Sequence, residues 1–302
     1  MIYRYEKTLG EYFGTYATIT FGSGRMALYA ILKALGIGCG DEVILQAYTC
    51  VVVPNAIIYN HAVPVYCDIS SDIFNIDPTK IEALITPRTK AIILQHTFGQ
   101  PGPIEAIQNL LLSYGSIHLI EDCCHAMGVK HENRYLGTFG TASFFSTDRH
   151  KMMSTGMGGF ALTNNYELSR NIRRIQQEAL PFPFWKGSFN DGMKLEKPWY
   201  YPCRMTTLQA YRGLKALPHL QENIRKRREI AQRYRDYTLG EGGYLRYAFT
   251  TEHQYTAEER IPPWFTSVVH GRNMNLEAVG YKAGSCPNAE YAAKYTINLR
   301  TT

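Results

Sequence analysis

The runs Lys90-Ala91-Ile92-Ile93-Leu94-Gln95 and Ser116-Ile117-His118-Leu119-Ile120-Glu121-Asp122, with residues 104–114 between them, decide how this chain folds. The two runs are short, apolar and end in polar residues, as buried strands do, and the stretch between them has helical spacing. Strand, helix, strand is the unit of a parallel sheet with a crossover helix. Toward the N-terminus the rhythm continues: a strand at 41–45, a helix at 51–59, a strand at 63–68 and a helix at 77–84 begun by Asp77-Pro78. Before these, residues 8–20 read as a short helix and a strand. Phe21-Gly22-Ser23-Gly24-Arg25-Met26 then opens a helix over 27–35 that stops at Gly36. Toward the C-terminus come strands at 141–145 and 160–163 and a polar helix at 164–180. An aromatic, proline-rich stretch at 181–202 and a helical region at 205–237, interrupted near Pro218, follow. Residues 241–302 carry weak strand signals and a helix at 288–295. The expectation is an α/β protein with a large, mainly parallel sheet over 1–217 and a smaller α+β unit over 218–302.

In such sheets ligands sit beyond the carboxyl ends of the strands, so the loops at 96–101, 122–128 and 146–151 should meet. Asp122 ends an apolar run, so its carboxylate belongs at a rim and needs a partner; it either caps a helix starting near Cys123 or faces a ligand. His125 lies three residues on. The Ser-Gly turn before the 27–35 helix is either an ordinary cap by Ser23 or an anion cradle, since the first N–H groups of a helix attract anions. The loop Ser146-Thr147-Asp148-Arg149-His150-Lys151-Met152-Met153-Ser154-Thr155-Gly156-Met157-Gly158-Gly159 joins two strands. Its lysine is either a solvated loop residue or, if desolvated, a nucleophilic amine able to form a Schiff base.

The 302 residues carry a net charge of +6 and seven cysteines. No apolar run reaches the roughly 20 residues that span a bilayer, and Met1-Ile2-Tyr3-Arg4-Tyr5-Glu6-Lys7 lacks the apolar core of a secretory signal. The cysteines are scattered through apolar runs, which fits reduced thiols in a cytoplasmic protein. Cys123-Cys124-His125 fits no common metal-ligand spacing. Arg225-Lys226-Arg227-Arg228 reads as one helix face, without the interleaved readout residues of a nucleic-acid surface.

Taken together, these blocks resemble the DegT/DnrJ/EryC1/StrS family of pyridoxal-phosphate-dependent sugar aminotransferases. The likeness rests on Ser23-Gly24-Arg25-Met26-Ala27-Leu28, Gly36 to Ile44, Tyr48-Thr49 to Ile57, Pro64 to Ile69 and Glu121-Asp122-Cys123-Cys124-His125-Ala126-Met127-Gly128. It also rests on the lysine loop, Arg204-Met205-Thr206-Thr207-Leu208-Gln209-Ala210, and Cys286-Pro287-Asn288-Ala289-Glu290. The resemblance implies a fold-type-I, aspartate-aminotransferase-like architecture, a homodimer with shared active sites, and pyridoxal 5′-phosphate as cofactor. It implies Lys151 as the Schiff-base lysine and proton carrier, Asp122 on the pyridine nitrogen and His125 at the phenolic oxygen or ring face. Gly24, the N–H groups of Arg25 and Met26, and the Ser146 hydroxyl would hold the phosphate. The implied reaction moves an amino group from an amino acid, glutamate, to a nucleotide-linked keto sugar, in cell-surface polysaccharide or secondary-metabolite biosynthesis.

In family relatives that act as dehydratases a histidine replaces the lysine. Here Ser146 and Gly158 stand at the family's distances from Lys151 and not from His150. Three positions depart from the pattern. Cys50 stands where the family has a ring-stacking aromatic, with Tyr48 the neighbouring ring. Arg25 replaces a small hydroxyl residue, and Pro202 replaces a phosphate-contacting asparagine. Dehydration of a sugar and silent cofactor binding are the alternative readings. The stretch 182–202 is the expected substrate selector.

Overall fold

The computed structural model describes residues 1–71, 73–177, 180–184, 197–201, 204–234, 242–251, 260–271 and 275–301. Its elements in chain order are α1 (Ile2–Phe13), β1 (Ala17–Phe21), α2 (Gly24–Ala34), β2 (Glu42–Gln46), α3 (Val52–Tyr59), β3 (Val63–Cys67), β4 (Thr89–Gln95), α4 (Ile104–Leu112) and β5 (His118–Asp122). Then come β6 (Lys130–His131), β7 (Arg134–Tyr135), β8 (Ala142–Ser146), β9 (Gly159–Thr163), α5 (Tyr166–Gln177), β10 (Leu180–Phe184), β11 (Lys197–Tyr201), α6 (Thr207–Ala216) and α7 (Leu220–Ala231). The chain closes with β12 (Tyr247–Thr250), β13 (Arg260–Ile261), α8 (Pro287–Tyr295) and β14 (Thr296–Leu299).

Seven strands form the main sheet in the order β1-β9-β8-β5-β4-β2-β3. Four of its pairings follow the expected logic: β2 is parallel to β3 and β4, β4 to β5, and β5 to β8, and only β9 runs against its neighbours, β1 and β8. Alternation along each strand sends side chains to opposite faces. Val43, Leu45, Ala91, Ile93, Phe144 and Ala161 pack on one face with α2, α3 and α5. Ile44, Ile92, Leu94, Phe145, Phe160 and Leu162 pack on the other with residues of α1, α4, α6 and α7. Both faces are buried, which is why the strands read as unbroken apolar runs rather than as alternating ones.

A second, antiparallel sheet of order β12-β14-β13 lies in the C-terminal part, beside α8. Asp68, just beyond β3, joins this part to the main sheet. Its carboxylate accepts N–H bonds from Asn288 (3.2 Å) and Ala289 (2.9 Å) in the first turn of α8, and from Lys80 Nζ (2.9 Å).

Two expectations change. Residues 77–84 form two 3₁₀ turns, Pro78–Lys80 and Glu82–Leu84, rather than one helix. Asp77 does cap the first, accepting from Thr79 N–H at 3.0 Å, but Ile81 must enter the core between the turns and Ile85 is already extended. No helix starts at Cys123. Asp122 Oδ1 takes the Cys124 N–H at 2.9 Å, and Ala126 N–H returns to Cys123 O at 3.0 Å, so the chain leaves β5 through consecutive turns. Pro202, and most of the 182–202 stretch, lie outside the described residues; of that stretch only the antiparallel pair β10–β11 is described. The six described cysteines are free thiols.

Candidate functional site

The parallel strands β2, β4, β5 and β8 end on one edge of the sheet, and the segments that follow them meet there. Gln46 leaves β2 with its amide on Tyr48 O (2.8 Å) and on the Thr97 hydroxyl (3.1 Å). Gln95 leaves β4 and accepts from the Thr49 hydroxyl at 2.6 Å while donating to Thr97 at 2.8 Å. Phe98 follows with a left-handed backbone, φ 55°. Such a conformation costs energy in a bulky residue and needs fixing by its surroundings. Here Phe98 N–H donates to His125 Nδ1 at 3.2 Å and its carbonyl accepts from Leu245 N–H at 2.8 Å.

The anion cradle lies where α2 begins. Ser23 makes no side-chain cap, so the first turn of α2 is not closed by its own N-cap residue. Gly24 and Gly159 let this turn approach the ends of β8 and β9. A Cβ on Gly24 would stand 2.9 Å from Phe145 O and 3.2 Å from Ser146 Cβ, and one on Gly159 would stand 2.3 Å from Gly24 N. Gly24 is therefore brought against Ser146, with Arg25 and Met26 following it in the first turn of α2. Burial lowers the pKa of the Arg25 guanidinium, against the pull of Cys50, Tyr59, Asp148 and Cys124 around it. Cys50 is thus part of the same wall. It pairs in a bridge with His270, whose N–H donates to Thr49 O (2.7 Å) and whose carbonyl accepts from Val51 N–H (2.8 Å). The ring of Tyr48 is fully buried against Phe74, Phe98 and Phe265.

Asp122 and His125 both lie near enough to Lys151 to feel its charge. Asp122 is 4% exposed. Burial raises its carboxyl above the ordinary 3.8, opposed by the Cys124 hydrogen bonds and by Lys151. Lys151 is half-buried and its Nζ sits 4.8 Å from the centroid of the Trp264 ring, whereas Arg149 and His150 beside it are exposed. His125 is held between rings: it stacks at 5.9 Å on both Phe98 and Phe265 and meets Trp264 edge-on at 5.0 Å. Burial, then Lys151 and Arg246, push its pKa well below 6.5. With Nδ1 accepting from Phe98, a neutral His125 carries its proton on Nε2.

Sequence reasoning missed three parts of this region. Glu121, beside Asp122, is fully buried and accepts N–H bonds of 2.7 Å from Gly137, Phe139 and Gly140. His96 takes Gly102 N–H on Nδ1 (3.0 Å), so its Nε2–H faces Glu121 at 3.2 Å. Trp264 and Arg246, from the C-terminal part, close over Lys151, and Arg246 lies 5.2 Å from the same indole. Glu121 and His96 read as polar ends of buried strands without a signal of what they hold, and Trp264 and Arg246 sit in a region of weak periodicity.

An amine beside a buried carboxylate, a neutral imidazole and a glycine-lined helix start suit an anionic, ring-bearing cofactor. The model of the DegT/DnrJ/EryC1/StrS aminotransferase family matches residues 1–261. The spore coat polysaccharide biosynthesis protein SpsC of Bacillus subtilis is 35% identical over 272 residues, 89% of this chain and 64% of that protein. GDP-perosamine synthase of Caulobacter vibrioides is 32% identical over 238 residues, 77% of this chain and 60% of that enzyme. The chain thus spans about two thirds or less of the length of these two relatives. The solved E. coli GDP-4-keto-6-deoxy-D-mannose-3-dehydratase, with bound hydrated PLP, superposes with a TM-score of 0.81 at 22% identity, over 99% of this chain and 86% of that one. That likeness establishes the fold-type-I, aspartate-aminotransferase-like architecture.

Proposed function

Because the chain belongs to the DegT/DnrJ/EryC1/StrS aminotransferase family, we propose that it is a pyridoxal-phosphate-dependent enzyme that moves an amino group from glutamate to a nucleotide-linked keto sugar. The observation that carries this reading is the convergence of Lys151 and Asp122 beside the glycine-lined start of α2. A carboxylate buried to 4% exposure is costly without a cationic partner. A protonated pyridine nitrogen is such a partner, so the residues present fit the cofactor. The first N–H groups of α2, at Arg25 and Met26, with the Ser146 hydroxyl, would hold the phosphate. The Arg25 cation adds to this anion-favouring end.

Bound there, the cofactor supplies an electron-accepting ring for the bond broken at the donor's α-carbon. Asp122 keeps the ring nitrogen protonated. His125, neutral and immobilised between Phe98 and Phe265, presents its Nε2–H as a fixed donor. Lys151 Nζ is the base that removes the proton from the donor's α-carbon and the acid that delivers one to the sugar carbon in the second half of the reaction. Trp264 lies over that amine and shields one side of it. The exposed position of His150 and the half-buried position of Lys151 favour transamination over dehydration. In this reading the enzyme works as a homodimer with shared sites.

The test is the visible spectrum of the purified chain with added pyridoxal phosphate, before and after glutamate, for wild type and Lys151→Ala. The expected result is a Schiff-base band in the wild type that glutamate removes and the variant lacks. Amino-sugar formation from a nucleotide-linked keto sugar should then follow. A band that no amino donor changes would support silent binding, and a deoxygenated sugar product would support dehydration.

A further inference from the structure

Arg246 stands outside every role assigned so far, and its surroundings leave it incomplete. Among the described residues it has no ion pair, and its Nε is buried without a hydrogen-bond partner. The charged groups that act on it are other cations, Arg300 and Arg227. A guanidinium drawn out of water needs an anion or a full set of acceptors to offset the loss of hydration.

Its position is nevertheless fixed from both sides. Leu245 N–H donates to Phe98 O at 2.8 Å and Gly243 N–H to Gly99 O at 2.7 Å, so the residues before Arg246 are fastened to the loop that holds His125. Trp264 N–H donates to Asn298 Oδ1 at 2.7 Å, and the adjoining Phe265 ring packs 5.0 Å from Tyr48. The Trp264 indole therefore has a set place. It carries two cations: Lys151 Nζ at 4.8 Å and the Arg246 guanidinium at 5.2 Å. Stacking on an indole orients the planar guanidinium fork while leaving its edge N–H groups free to bind.

We propose that Arg246, steadied by Trp264, is the anion subsite of the active site and fixes an oxyanion of the substrate opposite the Lys151 amine. The inference rests on the aminotransferase reading for the identity of the substrate, though not for the existence of the subsite. The chemistry recognised is a flat, two-oxygen anion that a guanidinium meets with paired hydrogen bonds. Two sources offer it: the carboxylate of the amino donor and the diphosphate of a nucleotide-linked sugar. Arg246 is a specificity-determining residue in either case, and Trp264 a positioning residue acting through it.

The experiment is calorimetric titration of the full chain with succinate, a dicarboxylate that cannot react, and separately with uridine diphosphate. Wild type, Arg246→Gln and Arg246→Lys are compared, each with its pyridoxal-phosphate absorption recorded. Loss of a charge-assisted, paired contact weakens binding by about ten- to a hundredfold. Arg246→Gln should show that loss for one probe and keep the cofactor band. Arg246→Lys, which keeps the charge without the fork, should recover part of the affinity. A loss confined to succinate assigns the subsite to the donor, and one confined to uridine diphosphate assigns it to the sugar nucleotide. Equal affinity of wild type and Arg246→Gln for both probes overturns the proposal. If Arg246→Gln does not fold, unchanged affinity for both probes in Arg246→Lys overturns it instead. A wild type that shows no cofactor band yet binds an anion through Arg246 removes the aminotransferase reading and keeps the subsite.

Discussion

Asp122 shows how a single side chain can be placed against the interest of the fold. Its carboxyl is raised by burial above the ordinary 3.8, so the folded chain holds a proton there more readily than the unfolded chain does. The sign follows by linkage: ionised Asp122 destabilises the cofactor-free fold at neutral pH, and this penalty fades as pH falls toward 3.8. Asp122→Asn keeps an acceptor for the Cys124 N–H and removes the charge. It should therefore stabilise the cofactor-free protein at pH 7 by about 1–2 kcal/mol while abolishing turnover. Thermal melts at pH 7 and pH 4.5 check this; a variant less stable than wild type at pH 7 would show that Asp122 is satisfied by the protein alone. Asp122 was legible in the sequence as a rim carboxylate in need of a partner because it closes an apolar run, while the choice between a cap and a ligand contact stayed open. Whether a helix or a turn follows it was not legible, because a single Asp122–Cys124 hydrogen bond decides between the two.

At the scale of elements, β5 is useful because its last two residues point to opposite sides of the sheet. Asp122 faces the site, and Glu121 is turned toward the segment that carries β8 in. Three backbone N–H groups and the His96 Nε2–H converge on Glu121. Replacing it with glutamine would set an amide N–H₂ against those donors. Glu121→Gln should thus lose about 2–3 kcal/mol of stability, read by urea denaturation, since hydrogen bonds to a charged acceptor are worth about 1.5–3 kcal/mol. An unchanged midpoint would mean that the 137–140 turn is held by other contacts. Strands and most helices were readable from apolar periodicity alone. The reversal of β9 was not: an antiparallel return and a parallel crossover use the same apolar run when both faces are buried.

For the whole molecule, the question is how the C-terminal part is kept on the main sheet. Asp68, itself held by Lys80, contributes to that connection through two α8 N–H groups. An acidic side chain at a helix start also complements its dipole. Asp68→Ala should cost about 2–4 kcal/mol and lower hydrogen-exchange protection in α8 and β14 more than in β4 and β5. Uniform loss of protection would instead make the two parts one cooperative unit. This half of the architecture was the hardest to read in advance. Its strands are short, its prolines frequent, and many of its contacts with residues 47–50 and 96–99 are backbone bonds that any sequence can make.

The bond from Phe98 O to Leu245 N–H and the bridge between Cys50 and His270 also order events in time. The lysine, the carboxylate and the helix start all leave the ribosome long before the wall that covers them. During synthesis the sheet can form while its reactive edge is still open to solvent and to other molecules. The candidate site is closed only when Trp264 and His270 arrive. A nascent chain arrested between them and Lys151 holds Lys151, Asp122 and the start of α2 without that enclosure.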